Sequence, residues 1–331
     1  MKFTMLLPPK YEERKWTLAK QIGVNYAITK AMPALSGLPA PYNMEALRSI
    51  KDNFARAGFT LYGLEDDQFD MSSIKLGLPD RDEWIERYQQ MLRNMGQLNI
   101  RLLCYNFMAS VGWFRTRVDV PVRGGALVSE FNIKDATELV PENERITEEK
   151  LWQNLFYFLD AVLPVAEENG IKMALHPDDP PVSPLKGVGR ILTNAAAFDT
   201  ILAKYPNNTS NGITFCQATF KTMGEDLKAI AKPWLEQQKI YFLHLRDIEG
   251  DKYHFRETFH DNGSTDMVEM LQFYHQFGFD GPLRPDHAPA MYGETQQAFQ
   301  GGISAGYEIT GKIFAIGYLK GICEASGIPI E

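Results

Sequence analysis

The chain has 331 residues, of which 44% are hydrophobic, 23% charged and 12% aromatic. This ordinary globular composition argues against the disordered, collagen-like and disulfide-rich classes of protein. The formal net charge is −8 and the sequence has no basic run, so nucleic acids and anionic membranes are poor partners, because both require a concentrated positive field.

Eight short apolar runs predict β-strands along the chain. Several of them are almost continuously apolar, which is typical of parallel strands that are buried on both faces. In chain order the predicted strands cover residues 3–7, 24–29, 60–65, 100–107, 172–176, 212–216, 240–245 and 282–286.

Amphipathic helical patterns separate these runs, among them 44–57, 80–98, a helix from Thr147 to near Gly170, and 265–277. Eight strands that alternate with eight helices indicate parallel βα units, and we predict a (β/α)8 TIM barrel that forms one domain over residues 1–331. No glycine-rich phosphate-binding motif follows a predicted strand, which argues against the alternative, an open nucleotide-binding sheet.

One connection, residues 108–146 between the fourth strand and its helix, is far longer than the usual ~2 to 6 residues of a βα loop. Within it, residues 117–128 alternate around Gly124 and Gly125 and predict a β-hairpin. Loops that follow barrel strands lie at the mouth where TIM-barrel sites form, so we expect a lid. The alternative is a decorative or oligomer-forming insertion.

The last four predicted strands each deliver a strong metal-ligand type at the carboxyl end: His176, Cys216, His244 and Asp286. Adjacent strands of a barrel bring such ends together on one rim. Two imidazoles, a thiolate and a carboxylate suit a divalent first-row metal and disfavour Mg²⁺ and Ca²⁺, which prefer oxygen. The ligand types alone leave Zn²⁺, Fe²⁺, Mn²⁺ and Co²⁺ open.

The cellular setting is indicated by the cysteines and by the apolar segments. Cys104, Cys216 and Cys323 are odd in number and widely spaced, which fits a reducing compartment better than a disulfide framework. The apolar start of the chain is too short for a signal peptide, and no window approaches the ~20 apolar residues of a membrane span. We therefore expect a cytoplasmic protein without membrane partners.

Seven stretches of the sequence together resemble the D-mannonate dehydratase family, and the resemblance extends over nearly the whole chain. The most specific are the run around His176 and the final Arg-Pro-Asp-His run. The stretches are Lys-Leu-Gly-Leu-Pro at 75–79, Cys-Tyr-Asn-Phe-Met at 104–108, Met-Ala-Leu-His-Pro-Asp-Asp-Pro-Pro at 173–181, Thr-Phe-Cys at 214–216, His-Leu-Arg at 244–246, Gly-Phe-Asp-Gly-Pro at 278–282 and Arg-Pro-Asp-His at 284–287.

The resemblance implies a xylose-isomerase-like barrel that uses Mn²⁺ or Fe²⁺. Its reaction is the removal of water from D-mannonate to give 2-keto-3-deoxy-D-gluconate, in glucuronate breakdown. The metal ligands of the family fall on the four strand-end residues named above, and its catalytic residues fall on His287 and Tyr307. A sugar acid is the implied partner, and we also expect a homo-oligomer.

The reaction requires a base for the proton at C2 and an acid for the leaving hydroxyl. His287 and Tyr307 can supply these functions, and the sequence does not assign which residue does which. A divalent cation stabilises the enolate as a Lewis acid. Arg246 is expected to hold the substrate carboxylate through paired hydrogen bonds; its alternative is a salt bridge with Asp247.

Four further residues are candidates with weaker signals. Asp178 and Asp179 are expected to hold His176 in one tautomer, although aspartate before proline is also a turn signal. Asn106 and Arg115, at the exit of the fourth strand and in the lid, are expected to contact the substrate.

Two alternative functions remain open at the level of sequence. The first is a metal-dependent sugar isomerase or epimerase, although such sites rely on Glu, Asp and His, and Cys216 argues against it. The second is a non-catalytic paralogue that binds sugar acids, against which the complete ligand set and His287 argue.

Overall fold

A computed structural model describes residues 1–294 and 306–331 of the chain. Its strands, in chain order, are β1 Lys2–Leu6, β2 Tyr26–Thr29, β3 Thr60–Glu65, β4 Leu102–Tyr105, β5 Arg117–Pro121, β6 Leu127–Asn132, β7 Lys172–Leu175, β8 Asn211–Cys216, β9 Ile240–Leu245, β10 Ile248–Asp251, β11 His254–Glu257 and β12 Pro282–Pro285.

The described helices lie mainly between the strands of the barrel. They are α1 Glu13–Gln21, α2 Pro33–Ser36, α3 Met44–Arg56, α4 Ser72–Leu76, α5 Arg81–Gln97, α6 Glu148–Glu168, α7 Ala195–Lys204, α8 Gln217–Thr222, α9 Leu227–Glu236, α10 Met267–Gln276 and α11 Ile309–Ala325. Within residues 1–294 and 306–331, none of the helices combines the length and the apolar character needed to cross a bilayer.

Eight parallel strands close into a barrel in the order β1-β2-β3-β4-β7-β8-β9-β12, and β12 returns to pair with β1. Each predicted strand overlaps one of these eight, so the predicted (β/α)8 barrel is confirmed. The strands read as nearly continuous apolar runs because both of their faces are buried; every residue of β4 and of β8 is buried, for example.

The helices that were predicted are also present, with ends within two residues for α3 and α5. Thr147 caps α6, because its side chain accepts a hydrogen bond from the backbone of Lys150 at 3.2 Å. Leu151, Leu155 and Phe158 of α6 are fully buried against the barrel at helical spacing.

The long insertion after β4 contains the predicted hairpin, formed by β5 and β6. A feature that the sequence did not predict is a second hairpin, β10 and β11, directly after β9. Strand β6 pairs with β11, so the two hairpins form one four-stranded sheet in the order β10-β11-β6-β5, which we call the accessory sheet. Phe131 and Phe255 form its buried contact, with ring centroids 5.7 Å apart.

Candidate active site

Four side chains meet at the carboxyl-terminal rim of the barrel. The ligand atoms of His176, Cys216, His244 and Asp286 all lie within 4.8 Å of one another. Strand register explains this meeting: Cys216 on β8 lies opposite His244 on β9, and Asp286 directly follows β12, the other neighbour of β9. The structure therefore brings together the four residues that the strand ends indicated.

The donor set fits a divalent metal ion. His244 is 1% exposed, and within the described chain neither of its ring nitrogens makes a hydrogen bond. A buried polar atom without a partner costs about 1–3 kcal/mol, and coordination to a metal removes that cost at one nitrogen. In His176, Nδ1 donates to the carbonyl oxygen of Pro177 at 2.7 Å, which leaves the lone pair of Nε2 as a ligand.

The charges around the cluster favour the ligand forms of its two acidic groups. Burial raises the pKa of the Cys216 thiol, but Arg246 and His176 outweigh burial and hold this pKa well below its usual value. Burial likewise raises the pKa of Asp286, and His287 and nearby arginines lower it well below the usual range. A thiolate and a carboxylate are the forms that bind metal.

Sequence reasoning missed Glu65, the last residue of β3. Its Oε2 lies 3.6 Å from Nε2 of His244 and accepts a hydrogen bond from Nε of Arg284 at 3.0 Å. Burial raises the pKa of Glu65, but Arg284 and His244 lower it to about 2, so the group is ionised at neutral pH. At 3.6 Å the contact is electrostatic rather than a hydrogen bond, and a carboxylate on this side of the ring favours the tautomer that carries its proton on Nε2. The signal was available, because Glu65 also ends a predicted strand.

Replacing Glu65 with glutamine is expected to weaken metal binding about 10- to 100-fold, because Nε2 of His244 then no longer faces a negative charge. Competition with a chromophoric chelator measures the affinity. Glu249→Gln is the matched control, since Glu249 pairs with Arg256 at 2.6 Å on the exposed face of the accessory sheet. Equal affinities in the two variants would contradict the role given to Glu65.

A cavity of about 500 Å³ opens beside the cluster. Both predicted catalytic residues line it, together with His176 and Asp286 from the cluster, Asn106 after β4 and Trp113 from the long insertion. The metal-ligand cluster and the candidate acid and base thus face one space of a size suited to a small molecule.

His287 and Tyr307 lie close together, with ring centroids 5.1 Å apart. The Tyr307 hydroxyl donates to Oδ1 of Asp286 at 2.8 Å, and burial raises its pKa well above the usual value, so it remains a proton donor. Gly306 permits this approach: its φ is +93°, and a Cβ there would lie 2.7 Å from Cβ of His287.

The expectation that Arg246 binds the substrate carboxylate requires correction. Arg246 is 1% exposed, and its guanidinium donates to Oδ2 of Asp286 at 2.9 Å and to Oε1 of Glu257 at 3.1 Å. Its remaining nitrogen donates to Asp179 and to the hydroxyl of Thr219. With these donors committed to protein acceptors, Arg246 holds the carboxylates of the site in place. Within the described residues, Arg246 does not form the alternative salt bridge with Asp247.

Of the two residues expected to contact the substrate, Arg115 is paired with protein carboxylates and Asn106 lines the cavity. The Arg115 side chain is fully buried and donates to Asp179 and Glu257, each at 2.7 Å, so its guanidinium is also committed to protein carboxylates. Asn106 lines the cavity as expected, and Lys75 fixes its amide oxygen from 2.9 Å. Its contact with substrate stays a prediction.

Asp178 and Asp179 do not orient His176 through hydrogen bonds in the described structure. Asp178 Oδ2 accepts from the backbone nitrogens of Ile191 and Leu192, at 3.1 and 3.0 Å, which fixes the loop after β7. Asp179 is engaged by two arginines, as described above. The hydrogen bond that orients His176 is accepted by the backbone carbonyl of Pro177 instead. A search of the sequence for carboxylate side chains cannot find such a backbone acceptor.

A closed (β/α)8 barrel with a cavity and clustered ligand residues at the carboxyl ends of its strands has the architecture of a TIM-barrel enzyme. The family model described as D-mannonate dehydratase (UxuA) matches residues 17–145 and 132–327. The chain belongs to the D-mannonate dehydratase family.

Individual relatives agree with this membership. Mannonate dehydratase 2 of Halalkalibacterium halodurans is 37% identical over an alignment of 310 residues, and the match covers 85% of this chain and 87% of the relative. Mannonate dehydratase of Streptococcus agalactiae is 32% identical over an alignment of 312 residues, and the match covers 86% of this chain and 87% of the relative. The prediction of an enzyme of this family, made from the sequence motifs, is therefore confirmed.

Solved structures separate the family from the wider fold. Mannonate dehydratase from Streptococcus suis serotype 2 superposes with a TM-score of 0.88 at 30% identity, covering 98% of this chain and 95% of that one. D-Psicose 3-epimerase from Clostridium cellulolyticum H10 has a TM-score of 0.58 at 12% identity, covering 99% and 98%. The latter shares only the fold, so it lends no support to the isomerase or epimerase alternative.

Proposed function

We propose that the chain removes water from D-mannonate to give 2-dehydro-3-deoxy-D-gluconate, with a divalent cation held by His176, Cys216, His244 and Asp286. One observation carries the proposal: these four donors meet within 4.8 Å at the cavity that His287 and Tyr307 line. Family membership supports the sugar-acid substrate, and we propose Mn²⁺ or Fe²⁺ as the metal.

The net charge of −8 opposes an anionic substrate, and the lysines that line the described part of the cavity are already paired. Lys30 Nζ lies 2.6 Å from Asp66, and Lys15 Nζ lies 3.6 Å from Glu12. When bound, the cation supplies positive charge for the substrate carboxylate and Lewis-acid stabilisation of the charge that develops there.

His287 is the proposed base and Tyr307 the proposed acid. Nδ1 of His287 contacts Glu257 at 2.7 Å, so the lone pair of the neutral ring is on Nε2, which takes the C2 proton. The protonated Tyr307 hydroxyl gives its proton to the hydroxyl that leaves C3 as water. A C2–C3 double bond forms as the C2–H and C3–O bonds break, and the resulting enol tautomerises to the 2-keto acid.

The insertion 108–146 is proposed to cover the site, because Met108, Gly112 and Trp113 from it line the cavity. The homo-oligomer, the single domain over residues 1–331 and the cytoplasmic location stay predictions. Analytical ultracentrifugation of the purified chain measures the first of these.

Metal removal tests the proposed reaction. We expect treatment with EDTA to lower turnover of D-mannonate at least ~10³-fold, because the cation contributes several kcal/mol to the barrier, and Mn²⁺ or Fe²⁺ to restore it. A colorimetric 2-keto-acid assay follows the product. An isomerised sugar without 2-keto acid would indicate an isomerase or epimerase. Mannonate binding without any product would indicate the non-catalytic paralogue.

A further inference from the structure

Glu257, the last residue of β11, reaches from the accessory sheet to His287, which lines the cavity, and the Glu257 side chain is 4% exposed. Its Oε1 lies 2.7 Å from Nδ1 of His287. Two guanidinium groups donate to the same oxygen, from Arg115 at 2.7 Å and from Arg246 at 3.1 Å. A buried carboxylate therefore contacts the proposed base on the side of the ring that Nδ1 occupies.

The His287 ring is also fixed by aromatic neighbours. Trp113 and Tyr307 pack against it edge to face, with ring centroids 5.2 Å and 5.1 Å away. A carboxylate accepts a hydrogen bond, so Glu257 selects the tautomer that carries its proton on Nδ1. The lone pair of Nε2 is then left for the cavity that His287 lines.

We propose that Glu257 is the positioning residue for His287 in proton abstraction from C2. It holds the ring in one tautomer, and its negative charge stabilises the imidazolium that forms when Nε2 takes the proton. This inference rests on the proposed dehydration, in which His287 is the base. It also assigns the accessory sheet a part in the chemistry, because that sheet carries Glu257.

Arg115 and Arg246 explain why the buried carboxylate of Glu257 stays ionised. Burial raises the pKa of Glu257, but Arg246, the hydrogen bond from His287 and Arg115 outweigh burial and hold the pKa below its usual range. The same two arginines contact Asp179, which is about as deeply buried and lines the cavity, but within the described residues it forms no hydrogen bond or ion pair with His287. The chain thus offers a matched control within one ion network.

The test compares Glu257→Gln with Asp179→Asn in the metal-loaded enzyme. Each change removes one negative charge from the arginine pair, so we expect similar losses of thermal stability. For Glu257→Gln we expect kcat to fall about 100-fold or more, with KM and metal content close to wild type. The primary isotope effect on kcat with C2-deuterated mannonate should rise in the same variant, because proton abstraction becomes slower. In Asp179→Asn the kcat loss should be at least about tenfold smaller.

Glu257→Asp is the second variant, because it keeps the negative charge but moves the carboxylate away from Nδ1 of His287. We expect kcat to fall in this variant as well, with a smaller loss of thermal stability than in Glu257→Gln. Equal kcat losses in Glu257→Gln and Asp179→Asn would overturn the proposal, as would a loss confined to KM or metal content. Normal wild-type turnover together with unchanged kcat in Glu257→Gln contradicts the role of Glu257 alone. Absence of 2-keto acid from metal-loaded wild type contradicts the proposed function itself.

Discussion

Replacing Cys216 with serine is expected to abolish metal retention and lower turnover of D-mannonate at least ~10³-fold, while the barrel stays folded. The thiolate is one of two anionic donors in the cluster, and a serine hydroxyl remains protonated and is a poor ligand at neutral pH. The loss of a Lewis acid worth several kcal/mol accounts for the fall in rate. Elemental analysis after dialysis gives metal per chain, and the 2-keto-acid assay gives kcat.

The matched control is Cys323→Ser, which makes the same exchange of sulfur for oxygen at a buried position on α11. We expect it to keep the metal and the activity, whatever stability it loses. Circular dichroism establishes that both variants fold. Undiminished metal content in Cys216→Ser would contradict the proposed four-residue shell.

Replacing Arg246 with methionine is expected to destabilise the metal-free protein by about 3–5 kcal/mol, because buried carboxylates lose their shared partner. These carboxylates belong to Asp179, Glu257 and Asp286. In a chain of 331 residues a loss of that size corresponds to a fall in Tm of roughly 4–7 °C. Calorimetry in excess EDTA measures the effect without a contribution from bound metal.

Arg256→Met is the control, because Arg256 pairs with Glu249 at 2.6 Å but both side chains are largely exposed, and we expect it to lower the free energy of unfolding by less than about 1 kcal/mol.

The pH dependence of stability supplies a second readout. Burial raises the pKa values of the carboxyls around Arg246, and neighbouring cations lower them below the usual range. Their contribution is therefore present above the unfolded value of about 4 and is lost as the pH falls further. Equal destabilisation by both arginine variants would count against this network.

The barrel and its metal-ligand cluster could both be predicted from the sequence, the barrel from the apolar runs and the cluster from the residues that end them. Parallel strands buried on both faces give apolar runs, and their carboxyl ends share a rim, so His176, Cys216, His244 and Asp286 could be combined without any knowledge of contacts. Tyr307 is different, because it does not follow a predicted strand and only the family resemblance pointed to it.

The roles of Arg246 and Glu257 depend on three-dimensional contacts, which could not be predicted from the sequence. A guanidinium binds a carboxylate of the protein as well as one of the substrate, so the pattern at Arg246 could not distinguish its committed partners from a ligand. Glu257 was missed because its hairpin is short and largely exposed, without the alternation of apolar residues that marks a strand. Its pairing partner, β6, lies far earlier in the chain.

The accessory sheet has a consequence for the order of folding. It joins strand β6 of the insertion to strand β11, which follows β9, so its hydrogen bonds link segments far apart in the chain, whereas β8 and β9 are consecutive barrel strands. The longer loop carries the larger entropic cost, so we expect the β6–β11 pairing to form after the β8–β9 pairing. In pulse-labelling hydrogen exchange, amides of β8 and β9 should gain protection before those of β6 and β11. A newly made chain thus joins β8 to β9, which carry Cys216 and His244, before it completes the sheet that carries Glu257.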